Sequence, residues 1–333
     1  MESSTEIDFA ATSASWVELA RQSNGILALG ALTLLILSYN FATYVVDAIF
    51  PGVSLTKFGA GSKSAWAVIT GASDGIGAEF ATQLAKAGFN VLLVSRTQSK
   101  LDSLAEGLST KYGIMTKTLA MDASAIKESD FERLAELTKD LEIGVLVNNV
   151  GQSHDIPVPF HITSTQEMQD IININVTSTL RVTQTILPRL LLRRSLILTM
   201  GSFGGYLPTP LLATYSGSKA FLQTWSIALA SELSSSKVTV KLVNSYLVTS
   251  KMSKIRKASI SIPTPKAFVS ATLNGIKGGT VITPHWVHSL MATALSFIGR
   301  ENYFVVEGNK SMHMSIRARA LRKREKAENV ASK

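Results

Sequence analysis

The chain of 333 residues contains no cysteine. That excludes a disulfide framework, a thiolate nucleophile and any cysteine-ligated metal or cluster, and it fits an enzyme that faces the cytosol. No metal site is expected. Acids are also scarce, with 24 Asp and Glu against 33 Lys and Arg, which leaves a net charge of +9. The excess concentrates at 310–326, where seven basic residues accompany one acid. A basic chain can bind nucleic acid, anionic lipid or an anionic small molecule. Zinc-finger spacing and an RNA-binding aromatic pair are both missing, so the reading is no nucleic acid, and phosphorylated cofactors and substrates are favoured. No repeat or low-complexity block interrupts the chain.

Long apolar runs are present. Residues 25–46 carry no charge and a single amide, Asn40. As a helix rising 1.5 Å per residue, this run is expected to cross a hydrocarbon core of about 30 Å. It is not preceded by the basic region of a signal peptide: Glu2, Glu6, Asp8 and Glu18 face only Arg21, whereas Lys57 and Lys63 follow the run. Basic flanks stay cytoplasmic, so the N-terminus is expected across the membrane and the enzyme on the cytoplasmic side. A second apolar stretch, 281–299, is shortened by Pro284, His285 and His288. It reads as an interfacial or re-entrant helix near the active-site mouth, with an ordinary core segment as the alternative. The expected division is therefore an N-terminal segment at 1–24, a transmembrane helix at 25–46, a nucleotide-binding domain at 60–275, a hydrophobic membrane-associated extension at 276–309 and a basic tail at 310–333.

Between those ends, strand patterns at 65–70, 90–95, 117–121, 144–149, 196–200 and 239–243 alternate with helical ones. A long helical region at 165–192 is expected to break near Pro188. Strands alternating with helices predict βαβ units. The fold class is α/β: a single Rossmann-like doubly wound parallel sheet with an N-terminal transmembrane helix and a hydrophobic C-terminal extension.

Chemistry concentrates in two places. After the first strand the chain reads Thr70-Gly71-Ala72-Ser73-Asp74-Gly75-Ile76-Gly77. Glycines here let the chain turn tightly and bring backbone amides to a pyrophosphate at a helix N-terminus. A strand before and a helix after are the context such a motif requires. The second strand ends Val94-Ser95-Arg96, without the acid that usually accepts from the ribose hydroxyls of NAD. Arg96 offers two charge-assisted bonds to a 2′-phosphate, which points to NADP(H). Farther on, Ser202 precedes Tyr215 by thirteen residues, and Lys219 lies one helical turn beyond. A lysine at i+4 shares the tyrosine's helix face. Its charge is expected to lower the phenol pKa from about 10, so that the phenol exchanges a proton with a carbonyl or alcohol oxygen.

The glycine spacing, the serine and the Tyr-x-x-x-Lys pair together resemble the short-chain dehydrogenase/reductase family over about residues 65–255. The resemblance implies Ser202, Tyr215 and Lys219 as catalytic residues and Asn175 as the fourth, holding a proton-relay water, with Asn173 a nearby competitor. It implies cofactor contacts from Gly71, Ser73, Asp74, Gly75, Ile76 and Gly77, from Ser95 and Arg96, and from Asp122 on the adenine side. It adds Asn149, Val150 and Gly151, then Tyr215, Lys219, Val248 and Ser250, all toward NADPH. After the sixth strand, Ser245-Tyr246 stands where the family has Pro-Gly, and Ser250 replaces a threonine, with Thr249 as the competing hydroxyl.

The N-terminal span, the run Asn148-Asn149-Val150-Gly151, the run Gly201-Ser202-Phe203-Gly204-Gly205 and the hydrophobic extension are together similar to a fungal branch of that family. These are the endoplasmic reticulum very-long-chain 3-oxoacyl-CoA reductases, related to the 17β-hydroxysteroid dehydrogenases. This implies reduction of a very-long-chain 3-oxoacyl-CoA at a lipid membrane, with a condensing enzyme, a 3-hydroxyacyl-CoA dehydratase and an enoyl-CoA reductase as partners. Lys251, Lys254, Arg256 and Lys257, and more weakly Arg193 and Arg194, are candidates for the charges of CoA. Two alternatives remain: a membrane-anchored 17β-hydroxysteroid or retinoid dehydrogenase, and a non-catalytic scaffold of an elongation complex.

Overall fold

The computed structural model describes residues 9–49, 52–250 and 252–331. Contacts divide the chain into two units, Met1–Pro51 and Gly52–Lys333. In the first, α1 (Phe9–Ile49) is a helix of 41 residues whose apolar side chains, among them Ile26, Leu29, Leu35 and Phe41, are exposed.

The expected transmembrane helix at 25–46 is overturned. That run lies within α1, yet among the described residues no helix is long and apolar enough to cross a membrane. The most apolar stretch, 26–37, rises only about 18 Å against a hydrocarbon core of about 30 Å, and Ser38, Tyr39 and Asn40 follow it. Placement in the endoplasmic reticulum membrane and the cytoplasmic orientation, both drawn from that span, lose their basis with it.

The second unit is built on a seven-stranded sheet of order β3-β2-β1-β4-β5-β6-β7, parallel at every pairing. β1 (Ala65–Thr70) is buried at all six positions, as a strand covered on both faces requires. The Gly71–Gly77 turn then enters α2 (Gly75–Lys86), N-capped by Asp74, whose side chain accepts from the Gly75 N–H at 2.7 Å. β2 (Asn90–Ser95) leads to α3 (Gln98–Tyr112), which ends on Gly113. β3 (Thr116–Ala120), α4 (Glu128–Thr138) and β4 (Glu142–Asn148) complete the first half. The second half runs through α5 (Thr165–Ile172), α6 (Ser178–Leu190), β5 (Ser195–Met200), the short α7 (Phe203–Tyr206), α8 (Ala213–Glu232) and β6 (Val238–Val243). It closes with α9 (Pro265–Asn274), β7 (Val281–Ile282), α10 (Trp286–Ile298) and α11 (Tyr303–Ala331).

Two apolar clusters flank the sheet, one centred on Phe80, Phe89 and Phe268 and the other on Phe131, Leu134 and Ile186. The arrangement is a three-layer α/β fold in which strand order reverses between β1 and β4. Ligands of such folds bind outside the carboxyl ends of the strands at that reversal.

Two local readings change. The long helix expected at 165–192 does not break at Pro188, which lies inside α6. The N–H that proline lacks would bond to the carbonyl of residue 184, and Gln184 lies on the exposed face of the helix. The interruption falls at a π-helical turn, Asn173–Thr177. The start of the stretch 281–299 is the seventh strand, pairing with β6, and the rest is α10.

Candidate active site

The carboxyl ends of the central strands enclose a cleft of about 380 Å³. Its floor is fixed by Thr70 and Asn149, which end β1 and follow β4. The Thr70 hydroxyl accepts from the backbone N–H groups of Asn149 and Val150 at 3.0 and 3.1 Å, and the Asn149 amide donates to the Thr70 carbonyl at 3.0 Å. Gly71, Ser73, Asp74, Gly75 and Ile76 line the cleft, as do Ser95, Arg96, Asp122, Asn149, Val150, Gly151, Tyr215, Lys219 and Ser250. Gly77 does not line it and instead closes it from beneath. A Cβ at that position would sit 2.1 Å from the Gly71 carbonyl oxygen and 2.5 Å from the Asn149 amide nitrogen. Val248 is buried in the core and forms no wall of the cleft.

At the adenine end the Ser95 hydroxyl donates to the Ser73 hydroxyl at 2.8 Å, and Arg96 is exposed at the rim. The Asp122 carboxyl is held below its usual range, first by the Ser124 backbone N–H and further by the Ser124 hydroxyl and the nearby Arg96 and Lys127 cations. Arg96 therefore lines the same rim as Asp122, with no acid in the ribose position. A glycine turn so tightly closed that Gly77 has no room for a side chain, with a guanidinium at the rim, fits a dinucleotide carrying a 2′-phosphate.

At the other end, Ser202 caps α7, its oxygen accepting from the Gly204 N–H at 3.0 Å. Gly204 and Gly205 bring α7 against α8: a Cβ on Gly204 would stand 3.0 Å from the Tyr215 ring, and one on Gly205 2.4 Å from the Lys219 backbone. This contact places the Ser202 hydroxyl at the Tyr215 phenol. Burial pushes that phenol above its usual pKa, while its hydrogen bond with Ser202 pulls it down. The Lys219 ammonium donates to the Met200 carbonyl at 2.9 Å, and burial pushes its pKa down to about 8. For Tyr215, desolvation is the larger effect and the Ser202 hydrogen bond the smaller; the Lys219 amine is directed at the Met200 carbonyl.

Asn175 is fully buried in the π-turn. Its carbonyl accepts from the Gln152 N–H at 2.7 Å, and its amide donates to the Gln152 carbonyl and the Ser218 hydroxyl, each at 2.9 Å. It thus links the loop after β4 to α8. Asn173 turns away and donates to the Ser124 carbonyl. Of the two hydroxyls after β6, Ser250 lines the cleft, whereas Thr249 bonds to the Pro263 carbonyl. Lys251 lies outside the described residues. Arg193 pairs with Glu142 at the amino ends of β4 and β5, where Arg194 also precedes β5, whereas the cleft lies at the carboxyl ends of the strands.

Sequence reading missed the role of His288. The ring is fully buried, accepts from the Tyr246 N–H at Nδ1 (3.3 Å) and therefore donates from Nε2 to the Ser261 carbonyl (3.0 Å). Tyr246 in turn packs edge-on against Phe203, the neighbour of Ser202. The Ser245-Tyr246 departure is thus braced by α10. Burial holds the His288 imidazole neutral, its pKa pushed from 6.5 to about 4, with His285 adding repulsion. The unfolded chain takes up that proton first, so stability is present above pH 6.5 and falls as pH drops toward 4. Replacing His288→Leu is expected to remove this part of the acid slope and to cost about 1–3 kcal/mol by stranding the Tyr246 N–H. Urea midpoints measured across pH check both; an unchanged slope in the variant would show that His288 is not the group responsible.

The profile of the short chain dehydrogenase family matches residues 65–260. Among curated relatives, the protein named very-long-chain 3-oxoacyl-CoA reductase of Aspergillus terreus is 55% identical over 294 residues, covering 85% of this chain and 83% of its own. The protein of that name from Coccidioides immitis is 57% identical, covering 83% and 81%. The one from Aspergillus niger is 51% identical over 93% of this chain and 92% of its own. Among solved structures, a short-chain dehydrogenase from Sphingobium yanoikuyae in complex with NADPH aligns with a TM-score of 0.60 at 26% identity, covering 70% of this chain and 93% of that one. A 7β-hydroxysteroid dehydrogenase aligns with a TM-score of 0.64 at 20% identity, covering 72% and 95%. At that identity the likeness speaks for the fold alone.

Proposed function

The chain belongs to the short chain dehydrogenase family, and from that premise we propose that it is an oxidoreductase which uses NADPH to reduce very-long-chain 3-oxoacyl-CoA to (3R)-3-hydroxyacyl-CoA. The observation that carries this reading is identity above 50% to reductases of that name across more than four fifths of the chain. The site is chemically suited to it. NADPH, when bound, supplies the hydride that reduces the ketone carbon. Tyr215 supplies the proton that the carbonyl oxygen needs, and the burial that keeps its phenol protonated suits it to act as an acid. Ser202 donates a hydrogen bond to the same oxygen as charge builds on it. Lys219 lies one turn along the same helix as Tyr215, and Asn175 braces the loop after β4 against that helix through the Gln152 backbone and the Ser218 hydroxyl.

The finer reading follows from the thioester chemistry. A 3-oxoacyl thioester is the product of a condensing enzyme, and its 3-hydroxy product is the substrate of a dehydratase, whose product an enoyl-CoA reductase consumes. Those three activities are the partners this function implies.

The direct test follows NADPH oxidation with purified protein and 3-oxoacyl-CoA of increasing chain length. Turnover that rises with acyl length is expected. Turnover with a steroid or retinoid ketone and none with any acyl-CoA would sink the reading. In the same assay Arg96→Ala is expected to raise the KM for NADPH by about tenfold or more, the loss of a bidentate charge-assisted contact, and to leave the KM for NADH nearly unchanged. An equal rise for both cofactors would show that Arg96 does not meet the 2′-phosphate.

A further inference from the structure

The two loops that wall the cleft are tied together at its mouth by one acid and two cations. Gln152 and Met252 line the cleft. Just beyond them, the Lys254 amine meets the Asp155 carboxylate at 2.6 Å and the Asp155 carbonyl at 2.7 Å. The second carboxylate oxygen of Asp155 is taken by Arg324 of α11. Helix α11 does not reach this point by chance. Along its length the Asn309 amide donates to the Pro208 carbonyl at 3.0 Å and Arg317 donates to the Pro157 carbonyl at 2.7 Å, so the fold holds the basic C-terminal helix against the loop after β4 and the segment between α7 and α8. Lys254 itself has a φ of 58°, a left-handed backbone that is uncommon for a residue other than glycine.

We propose that Lys254 and Arg324 form the binding site for the phosphates of a coenzyme A thioester, and that Asp155 is an internal counterion which those phosphates displace; this rests on the reading of the chain as a 3-oxoacyl-CoA reductase. The carboxylate is outnumbered, one acid holding two cations, and Arg256 and Lys257 follow Lys254 with no ion-pair partner among the described residues. The knot is also exposed: 60% of the Lys254 side chain, 64% of Asp155 and 51% of Arg324 remain accessible. Exposed pairs contribute little and are readily exchanged. A phosphate brings more charge and more acceptor oxygens than a carboxylate and takes a guanidinium in two-pronged fashion. The Asp155 backbone N–H donates to the Glu167 carboxylate at 3.2 Å, which fixes the main chain of this loop while the exposed Asp155 carboxylate can turn to water. NADPH also carries phosphates, and the glycine turn between β1 and α2 is the cradle for those; the knot is built from other residues, on the loops after β4 and β6 and on α11.

The experiment compares a 3-oxoacyl-CoA with the same acyl chain carried on N-acetylcysteamine, a thioester without phosphates. In Lys254→Gln and Arg324→Gln the ratio of KM for the CoA ester to KM for the N-acetylcysteamine ester is expected to rise by on the order of tenfold each. Arg319→Gln, on the same helix but bonded, among the described residues, to the Ser315 carbonyl of its own helix, is expected to leave the ratio alone, and Asp155→Asn is expected to lower it. Titration of the NADPH-bound protein with desulfo-CoA reads the site without turnover, and binding weakened in Arg324→Gln is expected. Equal KM shifts for the two esters would make the knot a structural strap and overturn the proposal, as would desulfo-CoA binding that ignores both substitutions. If the wild-type chain reduces neither ester but binds desulfo-CoA through Arg324, the reductase reading fails while the phosphate site stands.

Discussion

Tyr215→Phe is expected to lower NADPH-dependent reduction by roughly 10²–10⁴-fold, the usual contribution of a positioned general acid, while NADPH still binds. The substitution removes one oxygen from a ring already packed against Gly204 and Ser202, so the fold has little reason to change. Burial raises the Tyr215 pKa, which sets the sign of the pH dependence. The protonated phenol is the form that delivers a proton, so the reductive rate should hold through neutral pH and fall only on the alkaline side. Lys219, with its pKa pushed down to about 8, loses its charge earlier on the same side. Rates measured against pH with saturating cofactor check this. A variant with wild-type turnover would mean that the carbonyl oxygen draws its proton from another group and that Tyr215 is not the acid.

The second large effect is expected at Gly77, on cofactor binding rather than proton transfer. Gly77→Ala puts a methyl group 2.1 Å from the Gly71 carbonyl oxygen. Neither group is free to yield, since Gly71 lies in the turn that ends β1 and the Asn149 amide is pinned to Thr70. Overpacking of this kind costs about 1–3 kcal/mol, equal to about ten- to a hundredfold in affinity if the strain is relieved by opening the turn that holds NADPH. Gly75→Ala is the informative comparison. Its nearest neighbour would be the Ser250 Cβ at 3.8 Å, so space is available, but its φ of +55° costs a residue with a side chain about 1–2 kcal/mol. Thermal unfolding with and without NADPH separates the two: Gly77→Ala should lose most of the cofactor-induced stabilisation, and Gly75→Ala should lose intrinsic stability but keep more of it. Wild-type NADPH affinity in Gly77→Ala would show that the turn yields without reshaping the cleft.

The strands at 65–70, 90–95 and 239–243 were legible because parallel strands covered on both faces are written as short continuous apolar runs. Tyr215 and Lys219 were legible because a helix converts a spacing of four into a shared face. The reading of 25–46 as a membrane span failed for the opposite reason: an apolar run defines a helix, but its length and polarity together decide what the helix can cross. Val281 and Ile282 were read as part of a helix because two residues are too few to show a strand period, and only the open edge of β6 makes them one.

The sequence by itself determined the α/β sheet, the glycine turn, the serine, tyrosine and lysine, and the arginine that stands where an acid would specify NAD. Each rests on a pattern whose partners lie within one turn or one strand. Tertiary structure alone decided the rest. It turned Asn175 to Gln152 and Ser218 and Asn173 to Ser124. It put Ser250 at the cleft and turned Thr249 to the Pro263 carbonyl, set His288 behind Tyr246, and joined Asp155 to Lys254 and Arg324. Those partners are far apart in the chain, and a hydrogen bond or ion pair between distant residues leaves no period in the sequence; packing of the helices on the sheet is what brings them within reach.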